Sequence, residues 1–290
     1  MIIPSRRSEQ TLPRALRSLE AAADGLDVET LVVEDAEGRG PSWARNRGLE
    51  RATGEYVFFC DADDEVAPAF FRRPLETLAD TGADLCFFTY AGGPRLESAT
   101  TDGNAAVRET YLPAFFGYSN DDVRRWNRGG RLDALKQPGQ VWRCACRRAF
   151  LEEHALRFDE SMTYFEDAAF LSARVAFAKR AVSLPDELYV YHPAPTGNLA
   201  TGWKGDRHWD YKFKALDFRK RLDARCGGAL WRHCEASCAL TALEFLKEHR
   251  ADLPRYLADA RVKAALRSFP RSPRHPLAAA AVTYLRWRTR

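Results

Sequence analysis

The sequence lacks any apolar run of about eighteen residues, the length a helix needs to span a membrane. Its beginning, Met1–Arg7, lacks a basic region followed by an apolar one, so we expect no secretory signal. Internal repeats and low-complexity tracts are also missing, which argues against solenoid architectures and compositionally biased segments. These absences favour a soluble globular protein.

The seven cysteines lack the spacing of a zinc site. Cys144 and Cys146 are too close together for a CxxC pair, and Cys234 and Cys238 lie one helical turn apart with no second pair nearby. Most of the others lie in apolar segments. We therefore expect buried free thiols, as in a cytosolic protein.

Charge of one sign is in only slight excess, with a net charge of +4. Arginines are spread along the chain with acids between them, so the composition indicates no nucleic-acid partner. The apolar content of 46% and the charged content of 29% are ordinary for a globular chain and argue against disorder. A length of 290 residues allows one large domain, or a domain with a helical appendage.

The most informative stretch runs from Gly54 to Pro68. Its apolar residues 56–60 predict a buried strand, and four of the next five residues are acidic. Asp61 and Asp63 are two apart, so in an extended chain they share a face and repel each other unless a cation lies beside them. Two interpretations stay open: a Mg²⁺ or Mn²⁺ site bridging to a diphosphate, and an acidic turn with an N-cap aspartate before a helix.

Strands and helices alternate through the first two thirds of the chain. Strands are predicted at 2–5, 28–33, 56–60, 84–90, 141–146, 181–184 and 188–191. Helices are predicted at 11–23, 42–52 (capped by Ser42), 68–79, 107–116, 147–154 and 168–178, and loops at 91–103 and 127–139. This rhythm is typical of an α/β fold with a mostly parallel sheet, in which ligands bind at the carboxyl edge.

Beyond Gly202 the pattern changes to long, charged, amphipathic helices. We predict a nucleotide-binding and catalytic domain over residues 1–202 and a helical subdomain over 203–290. Residues 267–290 carry arginines and aromatic residues but no acid. This tail predicts either contact with an anionic membrane surface or a helix docked on the domain with a solvated basic edge.

Several blocks, in their order and spacing over residues 1–195, resemble the family 2 glycosyltransferases of the GT-A (nucleotide-diphospho-sugar transferase) fold. The similarity is to bacterial members that build capsules, lipo-oligosaccharides and exopolysaccharides. The blocks are Ile2–Ser5, Leu31–Asp35, Ala44–Leu49, Gly54–Asp64, Val141–Arg143, Arg147–Leu151, Leu156–Glu160 and Phe165–Phe170. The resemblance implies an inverting glycosyltransferase that uses a nucleotide-diphospho-sugar, most simply a UDP-sugar, and Mn²⁺ or Mg²⁺.

The resemblance also implies roles on the donor side of the site. Pro4 and Ser5 would lie against the nucleobase and ribose, and Asp35 would accept a hydrogen bond from the base. Arg45 would face the base and phosphates, although a plain surface arginine is the alternative. The same donor site would include Ala62 and Asp61, with Asp61 contacting the ribose or a metal-bound water.

Asp63 would ligate the metal directly. His192 would be a second metal ligand or a phosphate donor, with a solvent-facing histidine at a strand end as the alternative. Asp167 is the expected catalytic base that deprotonates the acceptor hydroxyl, and its neighbour Glu166 is the rival. Burial beside phenylalanines would raise the pKa of Asp167 and make it a better base.

The sequence departs from the family pattern in the loop between Asp35 and Ala44, which is short and lacks the usual Gly-Ser. This leaves the nucleotide open. The expected acceptor is a glycan, a lipid-linked sugar or a small molecule, and the expected location is the cytoplasm or the inner face of the membrane. The alternatives are a non-catalytic binding protein of this fold and a nucleotidyltransferase, although Ser5–Ser8 has no glycine for a phosphate loop.

Overall fold

The computed structural model describes residues 1–117, 139–162, 164–193, 206–249, 253–258 and 276–288, with residues 121, 125, 128, 263 and 267. The predicted loop at 127–139 lies almost wholly outside this part of the chain, as do the predicted boundary at Gly202 and residues 268–275. The chain divides into two compact units. The first comprises Met1–Arg108 and Gln140–Gly202, and the second comprises Glu109–Gly139 and Trp203–Arg290. The division of roles between residues 1–202 and 203–290 stays a prediction.

The strands are β1 Ile2–Ser5, β2 Leu31–Glu34, β3 Tyr56–Val57, β4 Glu65–Val66, β5 Leu85–Tyr90, β6 Ala99–Asp102, β7 Cys144–Arg147 and β8 Arg180–Val190. The helices of the first part are α1 Leu12–Ala22, α2 Pro41–Arg51, α3 Arg72–Thr81, α4 Asn104–Phe116, α5 Arg148–Glu153 and α6 Glu166–Phe177. The later helices are α7 Asp206–Arg225, α8 Trp231–His249, α9 Leu253–Leu257 and α10 Pro276–Arg288. The predicted α/β fold with a helical C-terminal part is confirmed.

A two-stranded sheet has the order β1-β2, and a six-stranded sheet has the order β3-β7-β5-β8-β4, with β6 also paired to β8. Strands β1 and β2 pair in parallel, and Ile2 links the two sheets through a parallel bridge with Phe59, just beyond β3. Strand β7 runs antiparallel to both β3 and β5, β4 and β6 run antiparallel to β8, and β5 and β8 pair in parallel. The five strands that run in one direction therefore have their carboxyl ends at one edge; they are β1, β2, β3, β5 and β8.

Helix α2 packs closely on β1 at Gly48. A Cβ atom added to Gly48 would lie 2.4 Å from Ile2 Cγ2, which is closer than any real carbon contact. This helix is unusual because it also buries polar residues, namely Ser42, Arg45 and Asn46. Asn46 exchanges hydrogen bonds with the backbone of Phe158 at 2.9 and 3.0 Å. The polar residues therefore tie the helix to the segment that precedes α6.

Two predicted features near the sheet are wrong in detail. Ser42 does not cap α2, because Gly40 is the N-cap residue and Ser42 donates instead to the carbonyl of Met162 at 3.0 Å. The predicted loop at 91–103 contains β6, which pairs antiparallel with the start of β8. Strand β6 is short and polar, so it carries no hydrophobic signal.

Two further predictions were wrong in the second half of this unit. The predicted turn at 185–187 lies inside the continuous strand β8, where the register with β5 shifts between Phe88 and Thr89. A bulge of this kind accommodates a proline within a strand. The predicted strand at 141–146 begins instead as a 3₁₀ turn, Val141–Arg143, before β7.

The seven cysteines are free thiols, and all but Cys226 are buried, as predicted. In the second unit the helices share an apolar cluster. Its buried members are Phe213, Leu216, Cys238, Ala242, Phe245, Leu253, Leu257, Ala281, Val282 and Leu285. Helix α10 thus docks through its apolar face. No helix in the described parts of the chain is both long enough and apolar enough to cross a membrane.

Candidate active site

The candidate site lies at the carboxyl edge of the sheet, where Ser5, Asp35 and Asp61 follow β1, β2 and β3. Its centre is Arg45 on α2, whose side chain is only 4% exposed. Such a guanidinium requires partners, because an unpaired charge is costly to bury. The sequence gives no local hint of those partners, which come from distant segments.

Arg45 bonds three carboxylates. Its Nη2 donates to Asp61 Oδ1 at 2.9 Å, and its Nη1 donates to Asp167 Oδ1 at 2.7 Å and to Glu166 Oε1 at 3.3 Å. The arginine also lies over the ring of Phe158, 5.4 Å from its centroid and within the reach of about 6 Å for a cation–π contact. The structure therefore brings together four of the predicted site residues, with Arg45 buried among the carboxylates rather than at the surface.

Asp167 stands at the start of α6, where the helix dipole favours negative charge. Its second oxygen, Oδ2, accepts the backbone N–H of Val141 at 3.1 Å. Burial raises the pKa of Asp167 to about 7; Glu166 and Asp61 add to the rise, whereas Arg45 and the Val141 N–H oppose it. Its side chain remains 21% exposed, so solvent reaches the carboxylate. A carboxylate with these properties can accept a proton near neutral pH.

The aspartates of the acidic loop after β3 lie in different environments. Asp64 is fully buried and accepts bonds from the Tyr189 hydroxyl and the His192 N–H, both at 2.7 Å. The same hydroxyl accepts the Asp61 N–H at 3.0 Å. Burial raises the pKa of Asp64 to about 7. The nearest helix, α3, begins only at Arg72, so the N-cap interpretation of this acidic turn is wrong.

Asp63 is exposed, unlike Asp64. Its pKa is raised, mainly by desolvation and then by the charge of Asp61. His192 Nε2 lies 2.8 Å from Glu65 Oε2, and Arg14 also pairs with that carboxylate. The described residues contain no group of three or more His, Cys, Asp or Glu side chains that could hold a metal ion. A metal here would need oxygen ligands from a substrate.

The donor-side residues lie on the loop next to β1 and β2. Asp35 is buried, and its two oxygens accept the backbone N–H groups of Arg39 at 2.8 Å and Gly40 at 2.7 Å. Asp35, which was predicted to accept a hydrogen bond from the base, therefore stabilises the backbone of the short loop. Ser5 Oγ donates to Glu34 at 2.6 Å. Pro4 is partly exposed beside it, whereas Ala62 is buried.

Sequence reasoning missed two residues that support the site, Tyr189 and Arg174. Tyr189 bridges Asp61 and Asp64, as described above. Trp142, which follows Val141, stacks on Tyr189 with ring centroids 3.9 Å apart and an interplanar angle of 4°. Arg174 is fully buried on α6. Only Arg174 had a usable signal, since an arginine in an otherwise apolar helix indicates a buried partner.

The fold is similar to that of solved glycosyltransferases of the GT-A type. The crystal structure of S. aureus TarS residues 1–349 in complex with UDP-GlcNAc superposes with a TM-score of 0.62 at 17% identity, covering 99% of this chain and 87% of that one. This similarity establishes the fold.

Residues 31–137 match the family described as Glycosyl transferase family 2, so the predicted resemblance to this family is confirmed. Succinoglycan biosynthesis protein ExoO of Rhizobium meliloti is 27% identical over 224 residues, 66% of this chain. The uncharacterized glycosyltransferase EpsJ of Bacillus subtilis is 29% identical over 209 residues, 69% of this chain. The chain spans 59% and 56% of the lengths of these two relatives.

Proposed function

We propose that the protein is an inverting, metal-dependent glycosyltransferase. It moves a sugar from a nucleotide-diphospho-sugar, a UDP-sugar in the simplest case, to a hydroxyl group of a glycan, a lipid-linked or a small-molecule acceptor. The observation that carries this proposal is the joining of Asp61 and Asp167 through buried Arg45. A donor-side acid and a candidate base are thereby fixed in one site.

Asp167 is the proposed catalytic base. Its raised pKa matches it to the removal of a proton from an acceptor hydroxyl at neutral pH. Glu166 is the neighbouring rival, and its side chain is 13% exposed against 21% for Asp167. We assign Glu166 to the support of Arg45, because it bonds the arginine at 3.3 Å and its side chain is the less exposed of the two.

The residues present fit a divalent cation bound together with a diphosphate. Mg²⁺ is usually held by one or two carboxylates, with phosphate oxygens and waters completing its coordination. Asp63 offers an exposed carboxylate, and desolvation together with the charge of Asp61 raises its pKa. We propose Asp63 as the direct ligand, with Asp61 close by. When bound, Mn²⁺ or Mg²⁺ would neutralise the charge that develops on the leaving diphosphate.

His192 stays a proposed metal ligand or phosphate donor. Its Nε2 is engaged with Glu65, and its backbone N–H holds Asp64. We propose that His192 contributes to the site mainly through this backbone contact, and that its ring becomes a phosphate donor or a metal ligand only by leaving Glu65.

Inversion follows from a single base. The acceptor oxygen attacks the anomeric carbon as Asp167 takes its proton, the bond from that carbon to the diphosphate breaks, and the nucleoside diphosphate leaves with the bonding pair. The sugar passes through an oxocarbenium-like state, as in glycoside hydrolysis. One direct displacement reverses the configuration. The nucleoside would lie over Pro4, Ser5, Asp35 and Ala62, with Arg45 orienting the carboxylates rather than the base.

The test is calorimetric titration with UDP, GDP, dTDP and CDP, each with and without Mn²⁺. We expect metal-dependent binding of one nucleotide to the wild type and loss of that binding in Asp63→Ala. Asp80→Ala is the matched control, because Asp80 is an exposed aspartate on α3 away from the site. Absence of binding to all four nucleotides under both conditions would overturn the proposal in favour of a non-catalytic protein of this fold.

We also propose peripheral contact with the inner face of the membrane through α10. Trp287 is 63% exposed beside Arg288, and aromatic and basic side chains together suit an anionic lipid surface. Leu285 lies in the apolar cluster, so truncation would unfold the unit. The substitution Trp287→Ser should instead weaken sedimentation with phosphatidylglycerol vesicles several-fold. Equal sedimentation of the variant and wild type would contradict the contact.

A further inference from the structure

Arg174 is a buried cation without an acidic partner in the described part of the chain. It is fully buried on α6, two helical turns after Asp167. Its Nη1 donates to the carbonyl of Cys144 at 3.1 Å, and its Nη2 donates to the carbonyl of Val141 at 3.4 Å. The guanidinium also lies over the ring of Phe170, 4.9 Å from its centroid. All of its strong acceptors are therefore backbone carbonyls of one segment.

That segment includes the peptide group that contacts the proposed base. The Val141 N–H donates to Asp167 Oδ2 at 3.1 Å, while the Val141 carbonyl accepts from Arg174. The two contacts hold Val141 from both of its peptide groups. Asp167 and Arg174 both belong to α6, so this helix bonds the 3₁₀ turn at two points. Val141 itself is fully buried, which leaves little room for the turn to shift.

The choice of an arginine here is costly for stability alone. Desolvation of a charge is expensive, and an apolar residue of similar volume is often at least as stable at such a position. Arginine has one capacity that an apolar residue lacks, which is to bond several carbonyls in a fixed planar arrangement. A role in holding the turn explains the arginine better than a role in filling the core.

We propose that Arg174 is a positioning residue for the proposed base: it holds the Val141 turn so that the Val141 N–H stays on Asp167 Oδ2. This inference rests on the proposed function, because it assumes that Asp167 is the base. With Oδ1 on Arg45 and Oδ2 on Val141, the plane of the carboxylate is fixed and its remaining lone pairs keep one orientation toward the acceptor.

Loss of Arg174 should change the pKa of Asp167 in a defined direction. The groups that face Asp167 are Arg45 on α2, Asp61 after β3, Glu166 on α6 and the Val141 N–H on the turn. A hydrogen bond to the charged form lowers the pKa of a carboxylate, so loosening the Val141 N–H should raise the pKa of Asp167 further. The acid limb of the rate profile should then move to higher pH.

The experiment compares Arg174→Met with Arg108→Met. Arg108 donates twice to the carbonyl of Ala176 on the same helix, at 2.6 and 2.8 Å, so its loss removes a similar anchor without touching Val141. We expect hydrogen exchange of the Val141 amide to rise about tenfold or more in Arg174→Met and to stay unchanged in Arg108→Met. We expect kcat to fall about tenfold with little change in the donor KM, and Arg174→Lys to recover part of the loss.

A second variant covers the case in which Arg174→Met does not fold. Val141→Pro removes the N–H but keeps the carbonyl for Arg174, and the extended backbone of Gln140 (φ −79°, ψ 129°) accepts a following proline. It should reproduce the fall in kcat and the alkaline shift of the acid limb. Unchanged kcat and pH profile in Val141→Pro, or unchanged Val141 exchange in a folded Arg174→Met, would overturn the proposal.

The failure of the proposed function would look different. If the wild type transferred no sugar, the exchange of the Val141 amide and the NMR titration of the Asp167 carboxyl would still be measured in the wild type and Arg174→Met. A higher exchange rate of the Val141 amide and a higher pKa of Asp167 in the variant would support the proposal that Arg174 positions Asp167. Equal values would refute it without reference to activity.

Discussion

Replacement of Arg45 by methionine tests the electrostatic centre of the site. The substitution keeps an unbranched, helix-compatible side chain but leaves Asp61, Glu166 and Asp167 without their shared cation. Removing one partner of a fully buried ion pair costs about 3–5 kcal/mol. The three carboxylates are 32%, 13% and 21% exposed, so water compensates part of the loss. We therefore expect a loss near the lower end, about 3 kcal/mol of unfolding free energy.

The matched control is Arg47→Met on the same helix. Arg47 is 43% exposed and pairs with Glu50, so its loss should cost less than about 1 kcal/mol. Urea denaturation at pH 7.5 and at pH 5 measures both variants. The deficit of Arg45→Met should shrink at pH 5, because protonation removes the repulsion among its carboxylates. Equal deficits for the two variants, or a deficit of Arg45→Met that grows at low pH, would refute the reasoning.

Three further predictions follow from the same structure. Asp167→Asn should reduce sugar transfer by about a hundredfold or more while nucleotide binding, measured by calorimetry, is retained; the wild-type rate should fall below the base pKa of about 7. Burial raises the pKa of Asp64 and Asp167 to about 7. Both groups bind protons on folding, so the metal-free unfolding free energy should decrease from pH 5 to pH 8 in urea titrations. Gly48→Ala should lose about 1–3 kcal/mol by thermal unfolding through overpacking, whereas Gly54→Ala, which meets only an ordinary contact, should lose less.

Local sequence patterns predicted much of the fold because they reflect burial. The apolar run before Asp61 and the wholly buried strand β5 carry strong hydrophobic signals, and both were located within a few residues. Strand β6 was missed because Ala99–Asp102 is polar and pairs only at an edge. Pro185 suggested a turn, but a shift of register absorbs it within β8. Tertiary pairing decided these last two elements, and no local pattern encodes it.

The candidate site was predictable as a set of residues and not as a set of contacts. Asp61, Asp167 and Arg45 were each selected because they resemble family motifs. Arg45 was predicted to face the base and phosphates of the nucleotide, whereas in the structure its guanidinium bonds three carboxylates. Its partner Asp167 is 122 positions away in sequence, so no window of residues contains this information. The acidic turn was likewise open to a helix-cap interpretation, because the acceptor role of the fully buried Asp64 depends on Tyr189 from a distant strand.

The long sequence separations within the Arg45 cluster also affect how the chain folds. Arg45 meets Asp61 across 16 positions but Asp167 across 122, so the cluster closes only after α6 has packed near α2. Contacts between residues so far apart in sequence form slowly, because the chain loses the entropy of closing a large loop before the contacts stabilise it. Because the cluster forms late, nucleotide binding should indicate that folding is complete. Partly folded chains, including those still leaving the ribosome, should have no donor site.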